Sequence, residues 1–299
     1  MDISIIIVNY NTKELTSQCI NSIYEKTAGL DFETILVDNA SSDGSKEYFQ
    51  NDNRITYIYS KENLGFGRAN NLGLTIAKGK NILFLNPDTL LINNAIKILS
   101  NYIDQNPKVG ACGGNLYNEE MKPTLSYRRI FPGIIEELNN LFFHIPEKLW
   151  YYKTWSHNNT DTPLAVAYIC GADLMIRKEI LDEVGAFSPD FFMYYEETDL
   201  CFRISKANYK IISIPSAKIQ HLEGKSFKSS IDEKRIKVSE NGRDIFYKRN
   251  YIPLYHKIAD IIYIVSLSIH QIIFKVFGYN DAASVCKIKR NVFKRSNLF

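Results

Sequence analysis

The tripeptide Asn86-Pro87-Asp88 follows a short apolar run, Ile82 to Leu85, and is the first segment whose residue types indicate a reactive site. Proline cannot donate to a sheet ladder, so the predicted strand stops there and presents Asp88 at its carboxyl end. Ligands of open α/β sheets bind at that edge, and Mg²⁺ usually takes one or two carboxylates plus phosphate oxygens. The tripeptide therefore indicates a cation site for a diphosphate, or else a turn that closes a buried strand.

A second acidic segment contains Glu196, Glu197 and Asp199 and follows a run of aromatic residues. Burial against aromatic rings and mutual repulsion both raise the pKa of a carboxyl group, which suits a general base. The alternative is a helix N-terminus, where acids interact favourably with the helix dipole, and both can hold at once. A lone histidine such as His221 is usually structural, but paired with Asp88 it would be a metal ligand.

Polar side chains also follow the first two predicted strands, at Asn9 and Asn11 and at Asp38. In a parallel sheet these ends lie on the same rim as Asp88. Amide and carboxylate groups can bind a base edge and ribose hydroxyls, so the pattern indicates a nucleotide site, although Asn and Asp are also common turn residues. Asn11 is further predicted to cap the first helix, with Glu14 as its capping partner.

The segment Gly65-Phe66-Gly67 is superficially similar to a dinucleotide-binding fingerprint. It follows the third predicted strand rather than the first, so it is only weak support for a Rossmann dehydrogenase. We interpret its glycines as allowing the backbone to approach a ligand or to make a tight turn.

Apolar runs alternate with helical patterns in the first part of the chain, and the predicted strands are residues 3–8, 34–37, 55–59, 82–85 and 109–112. This alternation predicts an α/β fold with a mostly parallel sheet and helices on both faces. The irregular, aromatic connection from 119 to 163 is too long for a passive loop and is predicted to be a substrate-recognition flap. Its Arg128 and Arg129 would face a phosphate or simply be solvated.

The bulk composition excludes some classes of protein. The chain has 299 residues, 45% of them hydrophobic, and a net charge of +3, which is too balanced for a general nucleic-acid partner. Its five cysteines are scattered without a C-x-x-C pair, so neither a zinc ribbon nor a disulfide framework is indicated. The reducing cytoplasm fits best, and the start of the sequence shows no basic segment typical of a signal peptide.

The chain beyond Ser226 is predicted to be helical, and residues 250–299 are its candidate membrane-contact region. The apolar stretch from 259 to 275 is interrupted by Asp260 and His270, which makes it a poor spanning helix. Basic residues without acids follow Asp281. The pattern favours a helix lying on an anionic membrane surface, or alternatively a helix packed on the catalytic domain or on the partner of a homodimer.

At this point the sequence resembles the family 2 glycosyltransferases, in particular the rhamnosyltransferase-like branch that acts on bacterial cell-surface polysaccharides. The resemblance covers about Ile3 to Ser226 and depends on an ordered set of motifs rather than on any single one. The motifs are Val8-Asn9-Tyr10-Asn11, the segment from Val37 to Ser45, Asn63-Leu64-Gly65-Phe66, Asn86-Pro87-Asp88, Gly171-Ala172, Glu196-Glu197-x-Asp199-Leu200-x-x-Arg203 and His221-x-x-Gly224-x-Ser226.

The resemblance implies a GT-A fold, a nucleoside-diphosphate sugar donor such as dTDP-rhamnose or a UDP-sugar, a divalent cation (Mg²⁺ or Mn²⁺) and inversion at the anomeric carbon. It implies a glycan or polyprenyl-linked acceptor. The cysteine usage predicts a cytoplasmic enzyme, and the C-terminal pattern allows a peripheral position on the inner face of the membrane. Donor binding is assigned to Asn9, Asn11, Asp38, Asn63, Gly65, Arg68, Asn86 and Asp88. Metal binding is assigned to Asp88 and His221, and acceptor binding to Gly171, Ala172 and Arg128.

For catalysis the resemblance points to the second acid of a Glu-Asp pair, a position that Glu197 occupies in this chain, with Asp199 and Glu196 as rivals. The predicted divisions are a nucleotide-sugar-binding half (1–115), an acceptor-binding and catalytic half (116–228) and a helical, basic extension (229–299). The alternatives are a sugar-nucleotide nucleotidyltransferase and a non-catalytic sugar-binding or assembly protein. A nucleotidyltransferase normally has a glycine-rich, basic loop after the first strand, where this chain has Asn9-Tyr10-Asn11.

Overall fold

The computed structural model describes residues 1–222 and 232–296, so the predicted motif residues Gly224 and Ser226 lie outside the described part. Its strands are β1 (Ile3–Asn9), β2 (Phe32–Asn39), β3 (Ile55–Ser60), β4 (Asn81–Leu85), β5 (Thr89–Leu91), β6 (Val109–Tyr117), β7 (Tyr127–Arg128), β8 (Leu164–Val166), β9 (Tyr168–Ile169), β10 (Asp173–Arg177) and β11 (Lys210–His221). Its helices are α1 (Lys13–Lys26), α2 (Ser45–Phe49), α3 (Phe66–Leu74), α4 (Ala95–Gln105), α5 (Ile134–Leu141), α6 (Ile145–Trp150), α7 (Lys178–Val184), α8 (Glu196–Lys206), α9 (Glu233–Asn250), α10 (Pro253–Val276) and α11 (Asn280–Ser296).

The main sheet has the order β3-β2-β1-β4-β10-β6-β11-β5, with β8 added beside β11. The first four strands in this order pair in parallel, as their alternation with helices predicts. Strand β10 then runs antiparallel to both β4 and β6, so the sheet is mixed rather than mostly parallel. The α/β class with flanking helices is confirmed, and the mixed character arises from strands that follow the long aromatic connection.

The start of α1 differs from the prediction. The helix begins at Lys13 with Thr12 as its N-cap, one residue later than the predicted cap at Asn11. Asn11 has a φ of +55°, in the left-handed region that asparagine tolerates better than most residues. Its side-chain oxygen accepts a hydrogen bond from the Ser42 amide at 2.7 Å. Asn11 is therefore part of a link between two loops rather than a helix cap, and Glu14 has no capping role with it.

Contacts divide the chain into two compact units. The first unit contains residues 1–129, 153–189 and 196–222, and the second contains 130–152, 190–195 and 232–296. This grouping differs from the predicted division at 115 and 228, because α5 packs against α10 and so belongs with the C-terminal helices.

The core of the first unit is formed by the central strands of the sheet. Every residue of β1 and of β4 is buried, as expected for strands covered on both faces. Side chains of α1 and α4, among them Ile20, Ile23 and Leu99, belong to the same apolar cluster as Ile5 and Leu83. Packing on both faces fixes the strand ends, which carry the polar residues described below.

The second unit is organised around a buried arginine, Arg243 of α9. Its guanidinium donates to Glu137 of α5 at 2.8 Å and to Asp260 of α10 at 2.9 Å. The Tyr247 hydroxyl donates to the same Glu137 oxygen at 2.9 Å. The three helices are therefore joined by hydrogen-bonded ion pairs in which Arg243 and Glu137 are buried and Asp260 is half-buried.

Candidate functional site

The predicted site residues that follow strands lie on one edge of the sheet because of the strand register. In the parallel β1–β2 pair, Asn9 lies opposite Asp38. On the other side of β1, Ile7 lies opposite Leu85, the last residue of β4 before Asn86. The polar residues at the ends of three neighbouring strands are therefore brought together, as predicted from their positions.

Asn9 is fully buried and connects the loop after β1 to the loop after β2. Its side-chain oxygen accepts hydrogen bonds from the Thr12 hydroxyl at 2.8 Å and the Thr16 hydroxyl at 3.0 Å. Its amide nitrogen donates to the Ser41 hydroxyl at 3.1 Å. Asn9 thus holds the shape of the rim through contacts within the protein.

Asp38 is also fully buried and binds both its own loop and the next strand. One carboxylate oxygen accepts from the Ser41 amide at 2.9 Å, and the other accepts from the Tyr57 hydroxyl at 2.7 Å. Burial, followed by the hydrogen bond to Asp38, raises the pKa of Tyr57, which therefore stays a neutral donor. This arrangement fixes the orientation of Asp38 at the rim.

The segment after β3 is fixed by amide side chains. Asn39 donates to the Asn63 side chain at 2.9 Å and accepts from the Leu64 amide at 2.8 Å. Gly65 has a φ of +81°, which favours glycine, and its amide donates to the Asn63 side chain at 2.9 Å. The Arg68 guanidinium is exposed and donates to the carbonyl of Pro189 at 2.8 Å. Of these residues, Asn39 was not among the predicted site residues, although it directly follows Asp38 in the strand.

Asp88 and His221 are brought together by the pairing of β5 with β11. His221 lies opposite Thr89 in this antiparallel ladder, and the Leu222 amide donates to the carbonyl of Asp88 at 2.9 Å. The Nε2 atom of His221 lies 3.2 Å from a carboxylate oxygen of Asp88 and 3.4 Å from the side-chain nitrogen of Asn86. A carboxylate oxygen and an imidazole nitrogen at this spacing can share one divalent cation, and the imidazole suits Mn²⁺ better than Mg²⁺.

The predicted acids form the first turn of α8, so the two interpretations of this segment hold together. Glu196 and Asp199 are buried, whereas Glu197 keeps partial access to solvent. Burial, followed by the charge of Glu197, raises the pKa of Glu196 well above its ordinary value. Burial likewise raises the pKa of Glu197, and backbone amides at the helix start partly offset this effect.

Asp199 has a different environment from the two glutamates. Its carboxylate accepts from Arg203 Nε at 2.9 Å, and the same guanidinium donates to the carbonyls of Val184, Gly185 and Ala186. The pair therefore fastens α8 to the end of α7, which is a structural role. This ion pair favours Glu197 over Asp199 as the proton acceptor.

The segment Gly171-Ala172 lies between the two acidic groups. The Asn86 amide donates to the Ala172 carbonyl at 2.9 Å, which ties this segment to the turn that carries Asp88. A Cβ atom built on Gly171 would lie 3.6 Å from Cγ of Glu197. Gly171 therefore lies next to the Glu197 side chain, so the same short segment borders both the turn and the acid.

Arg128 lies on the strand that pairs with the residues just before Gly171. It pairs with Tyr168 in the β7–β9 ladder, and its guanidinium lies 5.4 Å from the ring centroid of Trp155. Within the described residues, no hydrogen bond joins Arg128 to Gly171, to Ala172 or to an acid of α8. Arg128 therefore lies opposite a residue three positions before Gly171, and its role in acceptor binding stays a prediction.

Asp173 is a buried acid that sequence reasoning missed. It lies opposite Leu85 in the β4–β10 pair, directly beside the edge that carries Asn86, and it accepts from the Gly114 amide. Burial raises the pKa of Asp173 well above its ordinary value, and the hydrogen bond from the Gly114 amide partly offsets this effect. The signal in the sequence was an acid at the start of the apolar run from 174 to 176.

The comparisons with known proteins agree with this geometry. The model of the family described as glycosyl transferase family 2 matches residues 4–185. The low-salt glycan biosynthesis hexosyltransferase Agl10 of Haloferax volcanii is 29% identical over 220 residues, which are 70% of this chain and 64% of that protein. The N-acetylglucosaminyl-diphospho-decaprenol L-rhamnosyltransferase of Mycobacterium tuberculosis is 26% identical over 204 residues, 62% of this chain and 65% of that protein. The chain thus spans somewhat less than two thirds of the length of these relatives.

Among solved structures, the mannosyltransferase PcManGT from Pyrobaculum calidifontis, in complex with GDP-Man and Mn²⁺, matches with a TM-score of 0.60 at 16% identity. The match covers 99% of this chain and 87% of that chain. This likeness confirms the predicted GT-A fold, and the relatives confirm the predicted similarity to rhamnosyltransferases. Because the family model covers more than half of its residues, the chain belongs to glycosyl transferase family 2.

Proposed function

We propose that the protein is an inverting glycosyltransferase that moves a sugar from a nucleoside-diphosphate donor to a hydroxyl of a glycan or lipid-linked acceptor. The observation that carries this proposal is the connection between Asp88 and Glu197 through Gly171-Ala172. One end of that segment binds the turn of Asp88, and the other end lies next to Glu197. A diphosphate held at Asp88 and a hydroxyl held at Glu197 would then lie on either side of one sugar.

In the proposed reaction, the Glu197 carboxylate takes the proton of the acceptor hydroxyl. The acceptor oxygen forms a bond with the anomeric carbon while the bond from that carbon to the diphosphate oxygen breaks, and the nucleoside diphosphate leaves. A single displacement of this kind inverts the anomeric centre. The raised pKa of Glu197 makes it a better proton acceptor than an exposed glutamate, and a general base typically contributes about 10²–10⁴-fold to a rate.

Asp88 and His221 are the residues that would hold a divalent cation, because their ligand atoms are 3.2 Å apart at the predicted diphosphate position. When bound, such an ion would neutralise negative charge on the departing diphosphate. The loops that carry Asn9, Asn11 and Asp38 would bind the nucleoside. We propose dTDP-rhamnose or a UDP-sugar as donor, supported by the similarity to the mycobacterial rhamnosyltransferase.

The acceptor is proposed to belong to the synthesis of cell-surface polysaccharides. A polyprenyl-linked acceptor is supported by the same relative, whose name specifies a decaprenol-linked acceptor. We place the enzyme in the cytoplasm, at the inner face of the cell membrane when its acceptor is lipid-linked.

The proposal is tested by calorimetric titration of the full chain with dTDP-rhamnose, UDP-sugars, GDP-sugars and NAD⁺, each with and without Mn²⁺ or Mg²⁺. We expect metal-dependent binding of one nucleotide sugar, which identifies the donor base. Asp88→Ala should abolish the metal dependence, whereas Asp52→Ala, which changes an acid that pairs with Arg54 on the surface, should leave it intact. Binding of NAD⁺ alone, or of none of these ligands, contradicts the proposal.

A further inference from the structure

The longest helix of the second unit, α10, has two faces of opposite character. Seven apolar residues between 40% and 76% exposed follow one another at spacings of three or four, which places them on one side of the helix. They are Leu254, Ile258, Ile261, Val265, Ile269, Ile272 and Val276. We call these seven residues the apolar stripe. Large exposed apolar patches mark interaction sites, so the apolar stripe is a candidate docking surface.

The opposite face of α10 is polar and buried. Asp260 forms the ion pair with Arg243, and His256 Nε2 lies 3.3 Å from the second oxygen of Asp260. Further along the helix, the Tyr263 hydroxyl donates to Glu240 at 2.7 Å, and His270 bonds to the carbonyl of Leu141 at 3.3 Å. This face packs against α5 and α9, whereas the apolar stripe lies on the exposed side of α10.

The helix α5 has the same arrangement. Its Glu137 is buried and binds Arg243, while Ile135, Leu138 and the adjoining Phe142 are exposed. Both helices thus direct an acid at the same arginine and leave apolar side chains in contact with solvent. Because α5 packs against α10, the two neighbouring helices both contribute exposed apolar side chains to the second unit.

The charge around the stripe identifies its partner. Residues 232–299 contain 13 lysines and arginines and six acids, whereas the whole chain carries a net charge of only +3. Lys257 and Lys275 are exposed on α10 beside the stripe. A second copy of this unit would carry the same positive charge and be repelled, whereas an anionic lipid surface would be attracted, by about 1 kcal/mol per basic residue near the surface.

We propose that the second unit binds an anionic lipid surface, with α10 lying in the plane of the membrane and its apolar stripe inserted among the lipid chains. By length and composition α10 could also cross a bilayer. Crossing would place the Asp260–Arg243–Glu137 ion pairs in hydrocarbon, where charged groups are costly, so the in-plane arrangement is favoured. The inference does not depend on the proposed catalytic reaction, since its residues all belong to the second unit.

Flotation of the full chain with vesicles, without donor or acceptor, tests this inference. We expect binding to vesicles of phosphatidylcholine with phosphatidylglycerol, weaker binding to phosphatidylcholine alone, and a decrease with added salt. The double substitution Ile261→Glu and Ile272→Glu should weaken binding by about tenfold or more, because each removes apolar burial and adds a repelled charge. The matched control, Tyr48→Glu with Ile76→Glu, adds the same charge at exposed apolar positions of the first unit and should bind like the wild type.

A second variant guards against loss of folding. Lys257→Glu with Lys275→Glu leaves the stripe intact and should abolish the preference for anionic vesicles. Equal binding by the wild type, the stripe variant and the lysine variant would overturn the inference. It would also be overturned by absence of vesicle binding, or by a dimer in light scattering that the stripe substitutions dissociate, because a second copy would then cover the stripe. Donor titration on the same samples separates this result from failure of the proposed reaction.

Discussion

Both units of the protein bury acidic side chains, but they neutralise them in different ways. In the second unit, burial alone would raise the pKa of Asp260, yet hydrogen bonds from His256 and Arg243 lower it below its ordinary value. In the first unit, Glu196 and Glu197 lie next to each other in the sequence at a helix start, and their pKa values are raised. We infer that the charge of Asp260 helps to hold helices of the second unit together, whereas Glu196 and Glu197 of the first unit keep their protons more readily than exposed glutamates.

The largest effect on turnover is expected for Glu197→Gln, which tests whether this acid exchanges a proton during the reaction. The amide keeps the shape of the side chain but cannot take a proton, so turnover should fall by about 10²–10⁴-fold. Donor binding, measured by calorimetry, should stay near the wild-type value because the donor residues are unchanged. In the wild type, turnover should decline as the pH falls through the raised pKa of Glu197, because protonation removes the base. Near-normal turnover in the variant would transfer the role to Asp199 or Glu196.

Removal of the buried Arg243 guanidinium from the second unit should have the next largest effect. Arg243→Ala leaves Glu137 and Asp260 buried without their guanidinium, which typically costs about 3–5 kcal/mol. Chemical denaturation followed by circular dichroism measures this loss. Arg249→Ala on the same helix removes a more exposed ion pair with Asp190 and should cost at most about 1 kcal/mol. Similar costs for the two variants would show that the buried network does not hold the helices.

Asp199→Ala tests whether Asp199 of α8 has a structural role or acts as the base. The substitution removes the acceptor of Arg203 Nε and should destabilise the protein by about 1–3 kcal/mol. If Asp199 is structural, turnover per folded molecule should change only a few-fold, as measured in initial-rate assays below the unfolding temperature. Asp182→Ala, at an exposed acid of α7, is the control for general effects of removing a charge. A loss of turnover equal to that of Glu197→Gln would make Asp199 the base.

The smallest effect is expected for Glu196→Gln. One carboxylate oxygen of Glu196 is buried without a hydrogen-bond partner in the described part of the chain, and the raised pKa means that the folded state disfavours the charged form. The contribution of this group to stability is therefore present below its unfolded pKa and is lost as the pH rises through its folded pKa. Glutamine should raise the free energy of unfolding at neutral pH by about 1 kcal/mol and have less effect in acid. Denaturation at both pH values measures the difference, and destabilisation at neutral pH would contradict it.

The fold was predictable where the local pattern and the tertiary environment agree. The β-branched run of β1 and the apolar run that ends at Pro87 were both found, since buried parallel strands are continuously apolar. Strand β6 extends to Tyr117, well beyond the predicted end at residue 112. The prediction ended early because Gly113-Gly114-Asn115 in the second half of the strand have little strand preference of their own. The antiparallel direction of β10 depends on its neighbours β4 and β6 and has no signature in its own residues.

The site was predictable to a similar degree. Strand ends predicted the shared edge of Asn9, Asp38 and Asn86, because parallel register is regular. The sequence leaves open whether His221 lies near Asp88. Their proximity depends on the pairing of β11 with β5 across 132 residues of sequence, which no local pattern reveals. Asp173 was missed since a buried acid at a strand end has the same local appearance as a turn residue.

The hydrogen bonds between the first two loops have a consequence for how this protein can change. Asn9 binds Ser41, Asn11 binds Ser42, and the Lys13 amide donates to Asp43 at 2.9 Å, so each loop supplies groups that complete the other. An exchange of one loop alone would leave donors and acceptors unmatched on both sides. Because these loops are proposed to bind the nucleoside, a change of nucleotide preference is expected to require replacement of both loops together, and natural substitutions at these positions should covary.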